Sequence, residues 1–74
     1  MRETFHIETI APEEEGGGVI HRTSMRAETV EAAKERARRV FQRARVPHAR
    51  GPEVDTVRVV NGAGFEIFSI SARD

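Results

Sequence analysis

The sequence contains no cysteine, no tryptophan and no tyrosine among its 74 residues. Without cysteine, the chain cannot form a disulfide, bind a metal through thiolates or use a cysteine nucleophile. Only four phenylalanines are present as large aromatic side chains that could stack on a ligand ring. No apolar run approaches the roughly 20 residues of a membrane span, and no signal-peptide pattern is present, so we expect a cytoplasmic chain that contacts no membrane.

The chain also lacks a net charge, because 12 lysines and arginines balance 12 acidic residues. With 38% hydrophobic and 32% charged residues, residues 1–74 should fold as one domain rather than remain disordered. The core of such a small domain is typically worth only about 3–5 kcal/mol, and small domains often gain stability by self-association. A homodimer, or a complex with one protein partner, is therefore expected.

Alternating apolar residues predict four β-strands. Two of them, residues 4–10 and 19–26, should pair through a loop that contains a proline, three acidic residues and three glycines. The other two, residues 54–60 and 65–71, should form a hairpin near the end of the chain.

The turn of this second hairpin decides which side chains share a face. If Gly64 takes the left-handed position of a three-residue loop with a bulge, Asn61 faces Phe65 and Val59 faces Ile67. A two-residue Asn-Gly turn is the alternative, and it would turn the side chains of one strand to the opposite face. We prefer the bulged loop because it places Val57, Val59, Phe65 and Ile67 together.

A helix is predicted between the two strand pairs, since apolar residues recur at offsets of 0, 3, 7, 10, 11 and 14. These residues are Val30, Ala33, Ala37, Val40, Phe41 and Ala44. Thr29 is the favoured N-cap, with Ser24 as the alternative if the second strand is shorter. Pro47 should end the helix, because a proline disfavours the helical conformation of the residue before it. The ββαββ order predicts a two-layer α+β domain, in which one helix packs on one face of a four-stranded antiparallel sheet.

Such a sheet has a second face that no helix covers. The preferred register places Arg58, Val60, Glu66, Phe68 and Ile70 on this open face. Contiguous exposed apolar surface usually marks an interaction site, so we predict self-association or one protein partner through this face or an edge strand. In that interface the charges of Arg58 and Glu66 would pair across the contact. The alternative is that the C-terminal tail or the acidic loop folds over the face.

A basic segment supports a second interpretation. Residues 34–50 contain seven basic residues and one acidic residue, and Arg36, Arg39 and Arg43 are the candidates for phosphate contacts. A purely structural explanation also exists, because basic residues near a helix C-terminus stabilise the helix by complementing its dipole. The zero net charge argues against strong nonspecific binding. Nucleic-acid binding is therefore the alternative function, after protein interaction.

Residue patterns typical of metal sites and catalytic sites are missing. His6, His21 and His48 lack the spacing of metal ligands, and the glycines at 16–18 lead into a strand rather than a helix N-terminus. No serine has a predicted histidine and acidic partner, and so thin a domain should lack the volume for a ligand pocket. We predict a non-enzymatic chain with no catalytic residue, metal, cofactor or small-molecule ligand.

The element order resembles two groups of small proteins. A glycine-containing loop, a strand and the segment TVEAA at residues 29–33, which opens an Ala/Arg/Glu helix, are similar to the half-fold of HicB-type antitoxins. The closing hairpin at residues 57–67 resembles small bacterial ββαββ proteins of unknown function. HicB-like antitoxins bind a toxin partner and often carry a separate DNA-binding segment. The resemblance therefore implies the ββαββ fold and leaves the function open.

Overall fold

The computed structural model describes residues 2–45 and 53–72 of the chain. The elements are β1 (Glu3–Ile10), β2 (Val19–Ala27), α1 (Val30–Ala44), β3 (Thr56–Asn61) and β4 (Glu66–Ser71). This ββαββ order, with four antiparallel strands in one sheet, confirms the predicted α+β fold. Two sequence predictions, Pro47 as the helix stop and Arg50 as part of the basic segment, fall outside the described residues.

The strands lie in the order β2-β1-β3-β4, so β1 and β3 are central and β2 and β4 are the edges. The central strands carry the largest fully buried side chains, which are Phe5, Val57 and Val59. α1 covers the same side of the sheet and brings two alanines, Ala33 and Ala37, that are also fully buried. Small side chains at this contact let the helix approach the sheet closely, so the core lies between α1 and the two central strands.

The helix begins where the sequence predicts. The Oγ1 atom of Thr29 accepts a hydrogen bond from the backbone N–H of Ala32 at 3.2 Å, which confirms Thr29 as the N-cap. In the predicted apolar stripe, Val40, Phe41 and Ala44 are half-buried and pack against the core. Val30, at the very start of the helix, is 38% exposed.

The acidic loop between β1 and β2 is ordered by a short 3-10 turn at Glu13–Glu15. Gly16 and Gly17 follow with φ angles of +103° and +65°, a conformation that glycine adopts without steric cost. A β-bulge then enters β2, because Thr9 pairs with His21 while Ile10 pairs with Val19. Ile20 is the extra residue and packs against the core.

The turn between β3 and β4 is the predicted three-residue loop. Gly64 has a φ of +90°, and the backbone N–H of Asn61 donates to the carbonyl oxygen of Phe65 at 2.9 Å. The Oδ1 atom of Asn61 accepts hydrogen bonds from the backbone N–H groups of Ala63 and Phe65. These two hydrogen bonds to the Asn61 side chain therefore stabilise the conformation of the loop.

The pairing beyond this turn differs from the prediction. Val60 pairs with Glu66 as expected, but Val59 pairs with Phe68 instead of Ile67. Ile67 is the extra residue of a second β-bulge, and a shift of one residue exchanges the faces of all side chains that follow. Phe68 and Ile70 consequently lie on the side covered by α1, where they pack against the core.

Candidate functional site

The open face of the sheet does not carry the apolar patch that the sequence predicts. The placement of Phe68 and Ile70 on this face is wrong, because the bulge in β4 turns both side chains towards α1. The ring of Phe68 lies below two basic side chains of the helix, with Lys34 Nζ 5.7 Å and Arg38 Cζ 5.3 Å from its centre. Val60 alone keeps the predicted apolar position, and it is only 7% exposed.

A row of charged side chains crosses the open face instead. Arg58 and Glu66 lie on this face as predicted, and their side chains approach to 4.0 Å between Nη1 and Oε1. At the centre of the row, the carboxylate of Glu8 accepts a hydrogen bond from Arg58 Nε and lies 3.3 Å from Arg22 Nε. The side chain of Glu8 is only 9% exposed, so two guanidinium groups shield it from water. The open face is therefore polar, and four of its charged side chains, Glu8, Arg22, Arg58 and Glu66, form one network of ion pairs.

The helix does not lie over the whole sheet. α1 packs most extensively against β3 and less against β2, the strand at one edge. The reason lies in the composition of β2, which turns two exposed polar residues, His21 and Thr23, towards the helix side. Burying these polar groups without hydrogen-bond partners would cost free energy, whereas β1, β3 and β4 offer apolar side chains. The helix-facing side of β2 is therefore uncovered around His21 and Thr23, whereas Met25 and Ala27 further along the strand belong to the packed core.

The uncovered side of β2 and the flank of α1 enclose a groove of about 730 Å³, called here the β2 groove. Its lining residues are Ile7 and Thr9 of β1, His21, Thr23, Ser24 and Met25 of β2, and Arg36, Val40, Arg43 and Ala44 of α1. Ligand sites commonly measure about 300–1,000 Å³. The expectation that the domain is too thin for a ligand-sized cavity is therefore wrong.

The β2 groove combines an apolar floor with polar rims. Ile7 is buried, while Met25 and Val40 are half-buried beside it. The Thr9 hydroxyl donates a hydrogen bond to the carbonyl oxygen of His21 at 3.4 Å and so ties the floor to β2. His21 lies exposed on the β2 rim. The groove thus presents apolar surface at its base and hydrogen-bonding groups at its edge.

The two flanks of α1 differ in charge. On the flank towards β4, Lys34 pairs with Glu31 at 3.7 Å and Arg38 pairs with Glu35 at 3.3 Å. The flank towards β2 carries Ala32, Arg36 and Arg43, and Arg39 lies next to them at helical spacing but nearer the outward face. None of these four residues is acidic. Within residues 2–45 and 53–72, these three arginines have no ion-pair or hydrogen-bond partner on their side chains. Among the described residues, no acidic side chain therefore neutralises their positive charge.

The arginines of the edge strand β2 lie on the other side of the sheet. The side chains of Arg22 and Arg26 alternate with those of His21 and Thr23, and Arg22 shares Glu8 with Arg58 on the open face. Five of the twelve acidic residues lie in the loop after β1 and on the opposite flank of the helix. The zero net charge thus conceals an uneven distribution, and it does not argue against anion binding at the β2 groove.

Two further sites are absent from the described chain. Among residues 2–45 and 53–72, no group of histidine and acidic side chains is arranged to hold a metal ion. No helix within the same residues has the length and apolar character needed to cross a membrane.

The groove residues on α1 could be predicted from the sequence, whereas those on β2 were not. Arg36 and Arg43 were predicted as phosphate contacts, and the structure places both on the groove. No function was predicted for His21, Thr23 or Met25. The sequence did contain an indication of this wall of the groove. His21 and Thr23 are polar, at positions where a strand covered by a helix would carry apolar side chains.

Comparisons with protein-family models, with curated proteins and with solved structures find no match to this chain. The resemblance to HicB-type antitoxins and to small bacterial ββαββ proteins stays a prediction. The function of the chain is therefore inferred from the geometry and charge of the β2 groove.

Proposed function

We propose that this chain is a small, cytoplasmic, non-enzymatic binding module that binds nucleic acid through the β2 groove. The observation that carries the proposal is a set of arginines on α1 that have no ion-pair partner within residues 2–45 and 53–72: Arg36 and Arg43 line the groove, and Arg39 lies beside them. A guanidinium group matches the geometry of a phosphate and forms charge-assisted hydrogen bonds with it. The polar open face offers less apolar contact area to a protein partner, which favours nucleic acid as the first candidate.

The spacing of the arginines suits a phosphate backbone. Arg36 and Arg43 are two helical turns apart, which corresponds to about 10 Å along the axis at a rise of 1.5 Å per residue. Phosphates follow one another every ~3.4 Å of axis along one strand of a B-form duplex, so the three guanidinium groups span more than one phosphate. Several phosphate contacts of this kind produce binding that weakens steeply with salt.

A matched pair of double variants tests the proposal. Arg36→Gln with Arg43→Gln removes two charges from the groove flank, whereas Arg38→Gln with Arg45→Gln removes two charges, at the same spacing, from side chains that lie over Phe68 and Phe41. Binding is measured as the fluorescence anisotropy of a labelled 12-nucleotide oligomer at several salt concentrations. The first variant should bind about tenfold or more weakly and lose roughly 1.4–1.8 from the slope of log K against log salt.

The control variant should bind within about threefold of the wild type, because its charge loss acts only through the long-range field. Circular dichroism should report unchanged folding for both variants, since all four arginines are exposed. Equal weakening in the two variants would contradict a site on the groove flank. Failure of the wild-type chain to bind any oligomer at low salt would overturn nucleic-acid binding as a function.

Self-association is the second candidate function, and the edge strand β4 is the surface that favours it. One side of β4 has no neighbouring strand, and Ile67, Phe68 and Ile70 are only half-buried there. Pairing of two β4 edges would satisfy free backbone groups and bury these apolar side chains. Arg58 and Glu66, the predicted ion-pair residues, lie beside this edge on the open face.

Light scattering over a tenfold concentration range tests this second candidate. We expect a dimer that persists at high salt, because an apolar edge contact is not screened as an ionic one is. A monomer mass at every concentration would contradict self-association. That result would leave the nucleic-acid proposal unaffected.

A further inference from the structure

We propose that the nucleic acid bound in the β2 groove is single-stranded, with its phosphates on the arginines of α1 and its bases against the apolar floor. This inference rests on the proposed function and specifies its substrate class. It also assigns a role to His21, which the sequence analysis placed in no site. The shape of the surface that carries the arginines is the first argument.

Arg36 and Arg43 line a concave surface rather than a protruding one. A helix that recognises a duplex enters the major groove, which is about 12 Å wide, with its outward face. The outward face of α1 lies opposite Ala33 and Ala37 and includes Glu31 and Glu35 together with Arg39. The side chains of the two glutamates are 78% and 58% exposed. These carboxylates would approach the phosphates of a duplex in that geometry. A strand that lies along the groove flank meets arginines instead.

The apolar floor of the groove is the second argument. The bases of a duplex are stacked on each other, whereas a single strand exposes base faces that can pack on protein side chains. Met25 and Val40 present half-buried apolar surface between the two rims, within reach of a base whose phosphate lies on Arg36 or Arg43. A groove of about 730 Å³ has the volume of a drug-sized ligand, which corresponds to one or two nucleotides.

The rim formed by β2 supplies the remaining contacts. His21 is exposed there and is the one aromatic side chain among the groove residues, so its imidazole can stack on a base. Thr23, two residues further along the same strand, offers a hydroxyl that both donates and accepts hydrogen bonds at base edges. The two rims thus contact different groups of the ligand. The phosphates lie on the helix side and the bases lie on the strand side.

The decisive comparison uses one labelled 12-nucleotide sequence, free and annealed to its complement, at the same salt concentration. We expect the single strand to bind at least about tenfold more tightly, because only it can place bases on the groove floor. His21→Ala should weaken single-strand binding by about five- to tenfold and leave duplex binding unchanged. His6→Ala is the matched control, because His6 lies on the open face with its Nδ1 2.9 Å from Ser24 Oγ.

The possible outcomes separate this inference from the proposed function. Equal affinity for both forms, with both weakened by the Arg36→Gln and Arg43→Gln variant, would overturn the single-strand inference and retain nucleic-acid binding. Equal effects of His21→Ala and His6→Ala would overturn the stacking role of His21. Competition by inorganic polyphosphate as effective as that by the unlabelled oligomer would show that bases contribute nothing. Absence of binding to either form would overturn the proposed function itself.

Discussion

Replacing Phe5 with alanine should leave the domain largely unfolded at 25 °C. Phe5 is the largest of the fully buried side chains, is 1% exposed and belongs to the core between the sheet and α1. Removing a buried phenylalanine ring typically costs about 3–5 kcal/mol, which includes the cavity that remains. A domain of this length typically has only about 3–5 kcal/mol of stability, so the substitution removes most or all of it.

Phe65→Ala is the matched control for this experiment. The same side chain is deleted, but Phe65 lies in the β3–β4 turn and is 70% exposed. Its loss should change the free energy of unfolding by less than about 0.5 kcal/mol. Urea denaturation followed by far-ultraviolet circular dichroism suits a chain without tryptophan or tyrosine. A cooperative transition for Phe5→Ala close to that of Phe65→Ala would contradict the position of the core.

The second large effect is expected at Glu8, the buried carboxylate of the open face. Glu8→Gln retains the shape of the side chain but removes the charge that holds Arg22 and Arg58. Two guanidinium groups would then lie close together without a compensating negative charge. Breaking a buried ion pair by removing one partner can cost 3–5 kcal/mol, but Arg22 and Arg58 are 55% and 36% exposed, so water offsets part of the loss. We expect the free energy of unfolding to fall by about 1–3 kcal/mol.

Glu66→Gln provides the comparison, because Glu66 belongs to the same row of charges. Its carboxylate is 51% exposed and lies 4.0 Å from Arg58, so its loss should cost no more than about 0.5 kcal/mol. Urea midpoints of both variants should be compared at low salt and at high salt. If the two substitutions have equal effects, Glu8 is not the centre of the network.

The register of β4 could not be predicted from the local sequence pattern. The Asn61–Gly64 turn was predicted correctly, because the left-handed glycine and the asparagine side chain are local signals. The bulge at Ile67 was not predicted, because β4 has apolar residues at 67, 68 and 70, so the register without a bulge places Ile67 on the inner face and the bulged register places Phe68 and Ile70 there. Packing of Phe68 below Lys34 and Arg38 selects one of these registers. Since the contact joins α1 to a strand far along the chain, no local pattern contains it.

The candidate site was also predictable from the sequence only in part. Arg36, Arg39 and Arg43 could be chosen from the sequence because their spacing places them together on a helix. They lack partners within the described residues because Glu31 and Glu35 pair with residues on the other flank. Arg36 and Arg43 border a groove because of the lateral position of α1 on the sheet, which depends on side chains from all four strands.

By itself, the sequence determined the number and order of the elements, the N-cap at Thr29 and the turn before β4, because periodicity, capping and left-handed glycines act over a few residues. The tertiary structure alone decided the strand order β2-β1-β3-β4, the bulge that turns Phe68 and Ile70 inward and the groove beside β2. Each of these depends on which apolar side chains can be buried together at one time. That selection is a property of the whole packed domain rather than of any single segment.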